Sequence, residues 1–467
     1  MICDHDTIAA PATAAGGALA VIRVSGGDAL TICDRIFRGS APLADAEGYT
    51  VHYGHIIADG RTLDDVLVTV FRAPRSYTGE DAAEISCHGS QYIVSETLRL
   101  LTAAGARMAQ PGEFTIRAYL AGKLDLSQAE AVADIIASSS RASHALAANQ
   151  MRGGYSAAFD TLREKLLHLT SQLELELDFS EEEVEFADRT QLRDTMRQIK
   201  ERIDALRSSF SLGNAIKEGV AVAIVGAPNV GKSTLLNRLL NEERAMVSDI
   251  AGTTRDVIEE RANIDGIVFR FLDTAGIRST NDTLEQMGIA RTMSSIERAQ
   301  IIIRLIDASQ PAVPVSGGSP SSGQTGRKSA PAVASADSAA DTPSPNFPLR
   351  PDQTLLPRFS LPEGAVGISA RNGDGIDDLR RILRDAVDTE ALYHGGTVIS
   401  NSRHYEALTS ASEALSAALD GLRDNLPTDL LSEEIRQVIR HLSGVTGQDI
   451  VPEEVLKTIF SKFCIGK

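Results

Sequence analysis

The chain of 467 residues has few cysteines, no long apolar runs and a deficit of positive charge. Its four cysteines lie far apart and form no Cys-x-x-Cys pair, which argues against a disulfide framework and a cysteine-based zinc site. No apolar run approaches the roughly 18 residues that a membrane-spanning helix needs. The N-terminus is acidic where a secretory signal is basic. We therefore predict a cytoplasmic protein with no membrane association.

Acidic residues outnumber basic ones, 63 to 46, so the formal net charge is −17. A protein that coats nucleic acid through a basic stripe is therefore not expected, although a local RNA contact is compatible with this balance. Hydrophobic residues make up 43% of the chain, which is an ordinary globular proportion, and the length corresponds to about three domains.

The sequence pattern divides the chain into four segments. Residues 1–121 combine short β-like runs with one helical stretch, which indicates an α+β domain. Residues 122–217 carry apolar side chains at helical spacing, which predicts a helical bundle. Residues 218–382 alternate strand, glycine turn and helix, as in a parallel α/β sheet. Residues 383–467 return to the helical pattern.

The first helical segment and the α/β segment each contain a feature that predicts a specific structure. In the first helical segment, Val132, Ile135 and Ile136 and then Leu162, Leu166, Leu169 and Leu173 mark the expected buried faces. Residues 311–350 contain 26 Pro, Ala, Ser or Gly among 40 positions and hold 7 of the 17 prolines. Such a stretch cannot bury enough apolar surface to offset its ordering entropy, so we predict a disordered insertion within the α/β domain.

A complete phosphate-binding pattern occurs at Gly226–Ser233, between the β-like run Val220–Val225 and the helical run Thr234–Leu240. Glycines allow backbone N–H groups to close around phosphate oxygens, and the following helix presents its positive end. Lys232 would contact the β- and γ-phosphates, and the Ser233 hydroxyl would bind Mg²⁺.

Two further motifs follow in the order expected of a P-loop nucleoside triphosphatase. The segment Ser248–Asp256 is rich in Gly and Thr, which suits a switch whose Thr254 closes on Mg²⁺. Asp273–Gly276 ends the apolar run Val268–Leu272, where such proteins place an aspartate and a glycine near the γ-phosphate. Arg278, directly after this turn, is expected to help stabilise the switch.

The loop that would hold a guanine base is only partly represented. Ile368–Ala370 fits the loop that binds the base through backbone N–H groups, but the Asn/Thr-Lys-x-Asp tetrapeptide that reads guanine N1 and N2 is absent. Its expected position, between Asp307 and Ser369, is occupied by the insertion. Without that carboxylate, discrimination against adenine could fall by a few kcal/mol. The preceding strand also places Arg304 in a run expected to be buried.

These motifs, together with others, resemble the TrmE/MnmE family of tRNA modification GTPases over nearly the whole chain. The N-terminal part carries Asp6–Ile8, Ile22–Gly26, Tyr77–Asp81 and His88-Gly89. The long string Pro111–Ala131 and the final Cys-Ile-Gly-Lys are specific to this family. The resemblance implies an N-terminal α+β domain that dimerises and binds a formyl- or methylene-tetrahydrofolate. It also implies a helical bundle domain with a Ras-like P-loop GTPase domain inserted into it.

The resemblance also implies a reaction and its partners. The family works with an FAD-dependent subunit, MnmG or GidA, to install a carboxymethylaminomethyl or aminomethyl group at C5 of the wobble uridine in tRNA. Its GTP hydrolysis requires K⁺, for which the matching ligands are Asn229, Ser248, Ile250 and Thr253. A K⁺ ion beside the β/γ bridge would neutralise charge that develops in the transition state. The catalytic glutamate that orients water falls on Glu285.

The remaining implied residues concern the nucleotide, the folate and a thiol. The expected nucleotide-binding residues are Asn229, Val230, Gly231, Lys232, Ser233, Thr234, Ser248, Asp249, Ile250, Ala251, Gly252, Thr253, Thr254, Asp273, Thr274, Ala275, Gly276, Ser369, Ala370 and Arg371. The folate contacts fall on Arg23, Glu84, Lys123 and Lys467. Cys464 is either a functional thiol near the one-carbon group or a small buried apolar residue.

Three hypotheses follow. The first is a K⁺-stimulated GTP hydrolase within a tRNA-modifying complex, which the P-loop, both switches and Glu285 favour. The second is a dimeric folate- and tRNA-binding scaffold whose nucleotide domain no longer switches, which the missing tetrapeptide favours. A ribosome-assembly GTPase would share the nucleotide motifs but would give no reason for Pro111–Ala131 or the C-terminal motif.

Overall fold

The computed structural model describes most of the chain. The described residues are 6–14, 16–178, 189–227, 230–241, 260–272, 295–307, 333–335, 365–387, 396–448, 453–461, 463 and 466.

These residues form two sheets and thirteen principal helices. The helices are α1 (Ala29–Ile36), α2 (Gln91–Ala103), α3 (Glu113–Leu120), α4 (Leu126–Ala137), α5 (Arg141–Met151), α6 (Gly154–Asp178), α7 (Arg189–Ser208), α8 (Phe210–Glu218), α9 (Lys232–Asn241), α10 (Ile376–Asp385), α11 (Ser402–Arg423), α12 (Thr428–Thr446) and α13 (Glu453–Phe460). The strands of the first sheet are β1 (Ile8–Pro11), β2 (Leu19–Ser25), β3 (Phe37–Gly39), β4 (Thr50–Ala58), β5 (Arg61–Phe71), β6 (Ala82–His88) and β7 (Arg107–Met108). The strands of the second sheet are β8 (Val220–Gly226), β9 (Glu260–Ile264), β10 (Ile267–Leu272), β11 (Ile301–Asp307), β12 (Val333–Ser335) and β13 (Val366–Ile368).

The chain separates into two compact units. The first comprises residues 1–136, 148–203 and 406–467, and the second comprises residues 137–147 and 204–405. Each unit is therefore assembled from discontinuous parts of the chain. The boundaries predicted at residues 121, 217 and 382 stay predictions.

The first unit contains a seven-stranded sheet in the order β3-β4-β5-β6-β2-β1-β7. All neighbouring strands pair antiparallel except β1 and β7. Val66, Val68 and Val70 of β5 are buried in the core with residues of α1 and α2, whereas Leu67 between them is 47% exposed. This alternation is expected when one face of an antiparallel sheet is covered by helices.

The rest of the first unit is helical, as predicted. Leu162, Leu166, Leu169 and Leu173 of α6 are all buried, and α6 packs along α12. The predicted buried face of α4 is correct for Val132 but wrong for Ile136, which is 49% exposed. Ile136 lies in the last turn of α4, one residue before the helix ends, so fewer neighbours cover its side chain.

The second unit contains a six-stranded sheet in the order β13-β12-β11-β8-β10-β9. β8 pairs parallel with both β10 and β11, and only β9 runs antiparallel to its neighbour. This is the predicted parallel α/β arrangement. Arg304 in β11 is exposed, whereas Ile301, Ile303 and Leu305 are buried, so the arginine lies on the less covered face of the strand.

The prediction of disorder across residues 311–350 is wrong for three of them. Val333–Ser335 forms β12, which pairs parallel with β11 on one side and β13 on the other. A short Val-Ala segment can extend readily, and its pairing satisfies backbone groups of both neighbouring strands. The other residues of the insertion lie outside the described part of the chain. Among the described residues, no helix is both long and apolar enough to cross a membrane.

We expect Leu166→Ala to destabilise the protein by about 2–5 kcal/mol, because it leaves a cavity in the α6–α12 core. Its neighbour Leu167 is 39% exposed, so Leu167→Ala is the matched control and should cost less than about 1 kcal/mol. Urea unfolding of the full chain, followed by circular dichroism, measures both free energies of unfolding. Equal losses in the two variants would contradict the assigned packing of α6.

Candidate functional site

The phosphate loop connects the carboxyl end of β8 to the first turn of α9. Gly226 lies so close to β11 that a Cβ atom there would be 2.7 Å from the Leu305 carbonyl oxygen. Gly231 has φ of +97°, which favours glycine, and its carbonyl accepts the first helical hydrogen bond, from the Leu235 N–H. Val230 is buried and anchors the turn in the core. The end of the loop is thus fixed by the burial of Val230 and by the hydrogen bond that begins α9.

The Lys232 side chain lies over this loop. Its Nζ donates to the carbonyl oxygens of Gly226, at 3.0 Å, and Ala227, at 2.7 Å. Partial burial lowers the pKa of Lys232 from its ordinary value. A cation held above a glycine-rich turn at a helix N-terminus is suited to bind phosphate oxygens, and the contact of Lys232 with the β- and γ-phosphates stays a prediction.

The predicted base loop follows β13 and is held by its own hydrogen bonds. We define the base loop as residues 369–375. The Ser369 N–H donates to the Asp374 carbonyl at 2.9 Å, and the Gly373 N–H donates to the Ser369 carbonyl at 2.8 Å. The Asn372 N–H donates to Ser369 Oγ at 3.2 Å. Ala370, at the centre of the predicted contact, is buried.

Sheet topology relates the two loops. In parallel strands the carboxyl ends lie at one edge of the sheet, and ligands bind in open α/β sheets at that edge. The phosphate loop follows β8 and the base loop follows β13 at this edge, and β10 ends here at Leu272, one residue before the predicted Asp273. The described residues therefore place Val230, Gly231, Lys232, Ser233 and Thr234 on the same edge as Ser369, Ala370 and Arg371.

Many of the predicted residues lie outside the described part of the chain. They are Asn229, Ser248, Asp249, Ile250, Ala251, Gly252, Thr253, Thr254, Asp273, Thr274, Ala275, Gly276, Arg278, Glu285, Cys464 and Lys467.

In the first unit, Arg23 and Glu84 face each other across β2 and β6. Arg23 Nε lies 3.0 Å and Nη2 lies 2.9 Å from Glu84 Oε1. The guanidinium carbon is 5.2 Å from the centre of the Tyr77 ring and 5.6 Å from that of Phe114. Nη1 also donates to the Gly466 carbonyl at 3.4 Å, so Gly466 lies next to β2. Two of the predicted folate residues are thus in direct contact.

Lys123 lies on another side of the loop that carries Tyr77. Its Nζ donates to the Pro74 carbonyl at 2.7 Å, and its stem approaches Gly79. It lines a pocket of about 510 Å³. The other lining residues come from the α3–α4 connection and the end of α12: Tyr119, Leu120, Gly122, Leu124, Asp125, Gln128, Thr446, Gly447 and Gln448. Arg23 and Lys123 therefore both contact the loop that carries Pro74, Tyr77 and Gly79, and they do not contact each other directly.

An ionic network that sequence reasoning did not identify lies beneath this site. Arg117 donates through Nη2 to Asp6 at 2.7 Å and to Glu113 at 3.1 Å, and through Nη1 to Glu80 at 3.2 Å. Arg107 pairs with Asp6 and Glu113 from the other side. Asp6, Glu80, Glu113 and Arg117 lie in the motifs quoted above and Arg107 does not, and no spacing within those motifs shows that the five residues contact one another.

The network shifts the pKa of its carboxyl groups. Hydrogen bonds from Arg107, and then from Arg117, lower the pKa of Asp6. Burial opposes ionisation of Glu113, but hydrogen bonds from Arg107, the Gln110 N–H and Arg117 outweigh it and lower its pKa. Both carboxylates are therefore ionised at neutral pH, and their charges offset that of the buried Arg117 guanidinium.

The two described cysteines are free and buried. Burial raises the pKa of Cys33 to about 12 and that of Cys87 to about 11. Neither thiol is a nucleophile at neutral pH, because only the thiolate reacts.

The fold and the loops define a P-loop nucleotide-binding protein that also contains an α+β domain and a helical domain. The model of the MnmE helical domain matches residues 126–464, and that of the GTP-binding protein TrmE N-terminus matches residues 7–123. The chain therefore belongs to the MnmE/TrmE family of tRNA modification GTPases. The resemblance, the class of enzyme, and the presence of an N-terminal and a helical domain are confirmed.

Curated relatives agree over the full length. The tRNA modification GTPase MnmE of Cytophaga hutchinsonii is 48% identical, covering 99% of this chain and 98% of that protein. That of Bacteroides fragilis is 48% identical and covers 99% and 100%. The structure of Era from Aquifex aeolicus covers 41% of this chain and 65% of its own at 25% identity. Its TM-score of 0.22 is too low to inform the fold.

We expect Glu113→Gln to cost about 3 kcal/mol of stability at pH 7, because it removes a carboxylate that faces two arginines. A carboxyl group with a lowered pKa stabilises the folded state above its ordinary pKa, and this contribution is lost as the pH falls through the folded-state pKa. The difference from the wild type should therefore shrink below about pH 4. Urea unfolding at several pH values measures it.

Glu433→Gln is the control, because Glu433 is an exposed partner of Arg436 and Arg440. It should leave the free energy of unfolding close to that of the wild type, because solvent screens an exposed ion pair. A Glu113→Gln cost that does not change between pH 7 and pH 3 would contradict the electrostatic role of Glu113.

Proposed function

We propose that this chain hydrolyses GTP as one component of a system that modifies tRNA. In this proposal it works with an FAD-dependent partner to install an aminomethyl-type group at C5 of the wobble uridine. The observation that carries the proposal is the similarity, over the full length, to relatives named tRNA modification GTPase, together with the phosphate loop and its lysine.

The residues at the phosphate loop suit a magnesium nucleotide. Ser233 lies in the first turn of α9, next to Lys232, where a hydroxyl can bind the metal of a nucleoside triphosphate. Ser233 and Thr254 would hold Mg²⁺, which supplies charge neutralisation to the phosphates. Asn229, Ser248, Ile250 and Thr253 offer the oxygen ligands that K⁺ requires. Glu285 would orient the attacking water, and Arg278 would stabilise the switch.

The polar groups of the first unit suit a folate. Arg23 is fixed by Glu84 and two aromatic rings, so it presents an oriented guanidinium beside a carboxylate. A carboxylate suits the N–H edge of a pterin, and Arg and Lys suit the oxygens of a pterin or glutamyl group. Arg23, Glu84, Lys123 and Lys467 would form the formyl- or methylene-tetrahydrofolate contacts, and Cys464 lies three residues before Lys467 in the sequence.

A homodimer is supported by the open face of the first sheet. Val51, Tyr53 and Leu67 are 59%, 61% and 47% exposed on neighbouring strands, and Tyr53 pairs directly with Leu67. A contiguous apolar patch on a sheet face is typical of a protein–protein interface. Glu84 and Arg23 lie on the same face, on the next two strands of the sheet, β6 and β2.

The remaining partners are inferred from charge. A net charge of −17 and the lack of a clear basic stripe in the sequence favour tRNA binding through a local patch and through the FAD-dependent subunit. We place this system in the cytoplasm, where buried free thiols such as Cys33 and Cys87 stay reduced.

The second candidate is a folate- and tRNA-binding scaffold with an inactive nucleotide domain. Its support is the missing base-reading tetrapeptide, together with β12, which lies between β11 and β13 and is formed by a Val-Ala-Ser segment of the insertion.

Phosphate release with GTP, ATP and XTP, in KCl and in NaCl, separates these candidates. We expect rapid release with GTP in KCl and release at least about tenfold slower in NaCl, because K⁺ stabilises transition-state charge. Lys232→Ala should lower the rate by about 100-fold or more, since it removes a cation from the phosphates.

Two other results of the phosphate-release measurement would change the conclusion. Release with every triphosphate in KCl would retain the hydrolase and remove base specificity. No release, together with retained binding of 5-formyltetrahydrofolate, would contradict the hydrolase and support the scaffold.

We expect Tyr53→Glu to weaken dimerisation by about 100-fold, because it buries a charge in the centre of an apolar interface. Tyr92→Glu is the control, since Tyr92 is 70% exposed on α2, on the opposite side of the sheet from Tyr53. Analytical ultracentrifugation of the full chain measures both dissociation constants. A Tyr53→Glu variant that dimerises like the wild type would exclude this sheet face as the interface.

A further inference from the structure

An arginine of α9, the helix that follows the phosphate loop, packs against the base loop. Arg238 lies on α9, two helical turns after Lys232. A Cβ atom on Gly373 would lie 2.5 Å from Arg238 Nη2 and 3.3 Å from Arg238 Cζ. The guanidinium therefore packs directly against the Cα of Gly373, and a side chain at this position would displace it.

The conformation of the base loop is also restricted by two glycines, by packing against β13 and by hydrogen bonds within the loop. Gly373 and Gly375 have φ of +96° and +71°. A Cβ atom on Gly375 would lie 2.1 Å from the Gly367 carbonyl oxygen, so the loop also packs against β13. The Ser369 hydrogen bonds described above close the turn. Arg238 thus adds a contact between α9 and the base loop to the core in which Ala370 packs with residues of α9.

This contact has a chemical consequence because the chain has no base-reading tetrapeptide. The predicted remaining base contact is a backbone N–H of the base loop, which donates to an oxygen at purine position 6. An adenine presents a donor amino group there, so the same N–H disfavours it. The preference then depends on how accurately the loop is placed relative to the phosphates that Lys232 holds.

We propose that Arg238 is a positioning residue that holds the base loop relative to the phosphate-binding helix and thereby sets a preference for 6-oxopurine over 6-aminopurine nucleotides. This inference rests on the proposed nucleotide hydrolysis. Arg238 does not contact the reacting phosphates in this scheme, so it acts on nucleotide affinity and not on the chemical step.

The test compares Arg238→Ala with the wild type and with Arg381→Ala. Arg381, on α10, has a 61% exposed side chain and pairs only with Asp378 among the ion pairs of the described residues. The measurement is steady-state kcat and KM for GTP, ITP and ATP in KCl. Thermal unfolding of each variant shows that it is folded.

We expect Arg238→Ala to raise KM for GTP and ITP about tenfold, which is comparable to the loss of one hydrogen bond. The values of kcat, and KM for ATP, should change by less than about twofold. Gly373→Ala should act in the same direction, since its Cβ displaces the guanidinium. Arg381→Ala should behave as the wild type.

An equal rise of KM for GTP and ATP would overturn the proposal, because it would indicate a general structural role. An unchanged ratio of kcat/KM for GTP and ATP would overturn it as well. If the wild type hydrolyses none of the three, the proposed function fails. Binding of N-methylanthraniloyl GDP and ADP to the wild type and Arg238→Ala then decides the inference separately, and equal binding of both nucleotides by the wild type contradicts it.

Discussion

The parallel pairing of β8 with β10 and β11 is the constraint on which the nucleotide site depends. Parallel strands bring their carboxyl ends to one edge of the sheet, so the loops that follow them converge although they are far apart in sequence. The close approach of Gly226 to the Leu305 carbonyl shows how tightly this ladder fixes the start of the phosphate loop. The base loop reaches the same edge because β12 and β13 extend the parallel ladder.

A different interaction organises the first unit. Arg117 is buried and contacts three carboxylates: Glu113, four residues earlier on α3, and Asp6 and Glu80, which come from distant parts of the sequence. A buried cation without partners would be strongly destabilising, so these residues must be present together. Ser25 extends the network, because its hydroxyl donates to Glu80 at 2.7 Å, and Arg23 lies two residues earlier on the same strand. The network therefore supports the strand that carries the proposed folate contacts.

Sequence reasoning identified the motifs with a local pattern and did not identify those that depend on tertiary contacts. The phosphate loop was recognisable because glycine, lysine and serine must occur at fixed spacing next to a strand and a helix. Arg117 and Arg238 had no such signal, since the contacts of Arg117 with Asp6 and Glu80, and that of Arg238 with Gly373, join residues more than 30 positions apart. Ile136 was misjudged because helical periodicity does not show where a helix ends, and β12 was missed because low-complexity composition conceals a three-residue strand.

The sequence by itself determined the class of nucleotide chemistry, the family and the alternation of α+β, helical and α/β segments. These properties follow from residue types at short spacing, where local geometry and hydrophobic periodicity are sufficient. Only the tertiary structure decided that Arg23 pairs with Glu84 and lies beside Gly466, that Lys123 lies across a loop from them, and that Arg238 packs on the base loop. Such contacts join residues that are distant in the chain, and their geometry depends on the packing of whole elements, which no local pattern encodes.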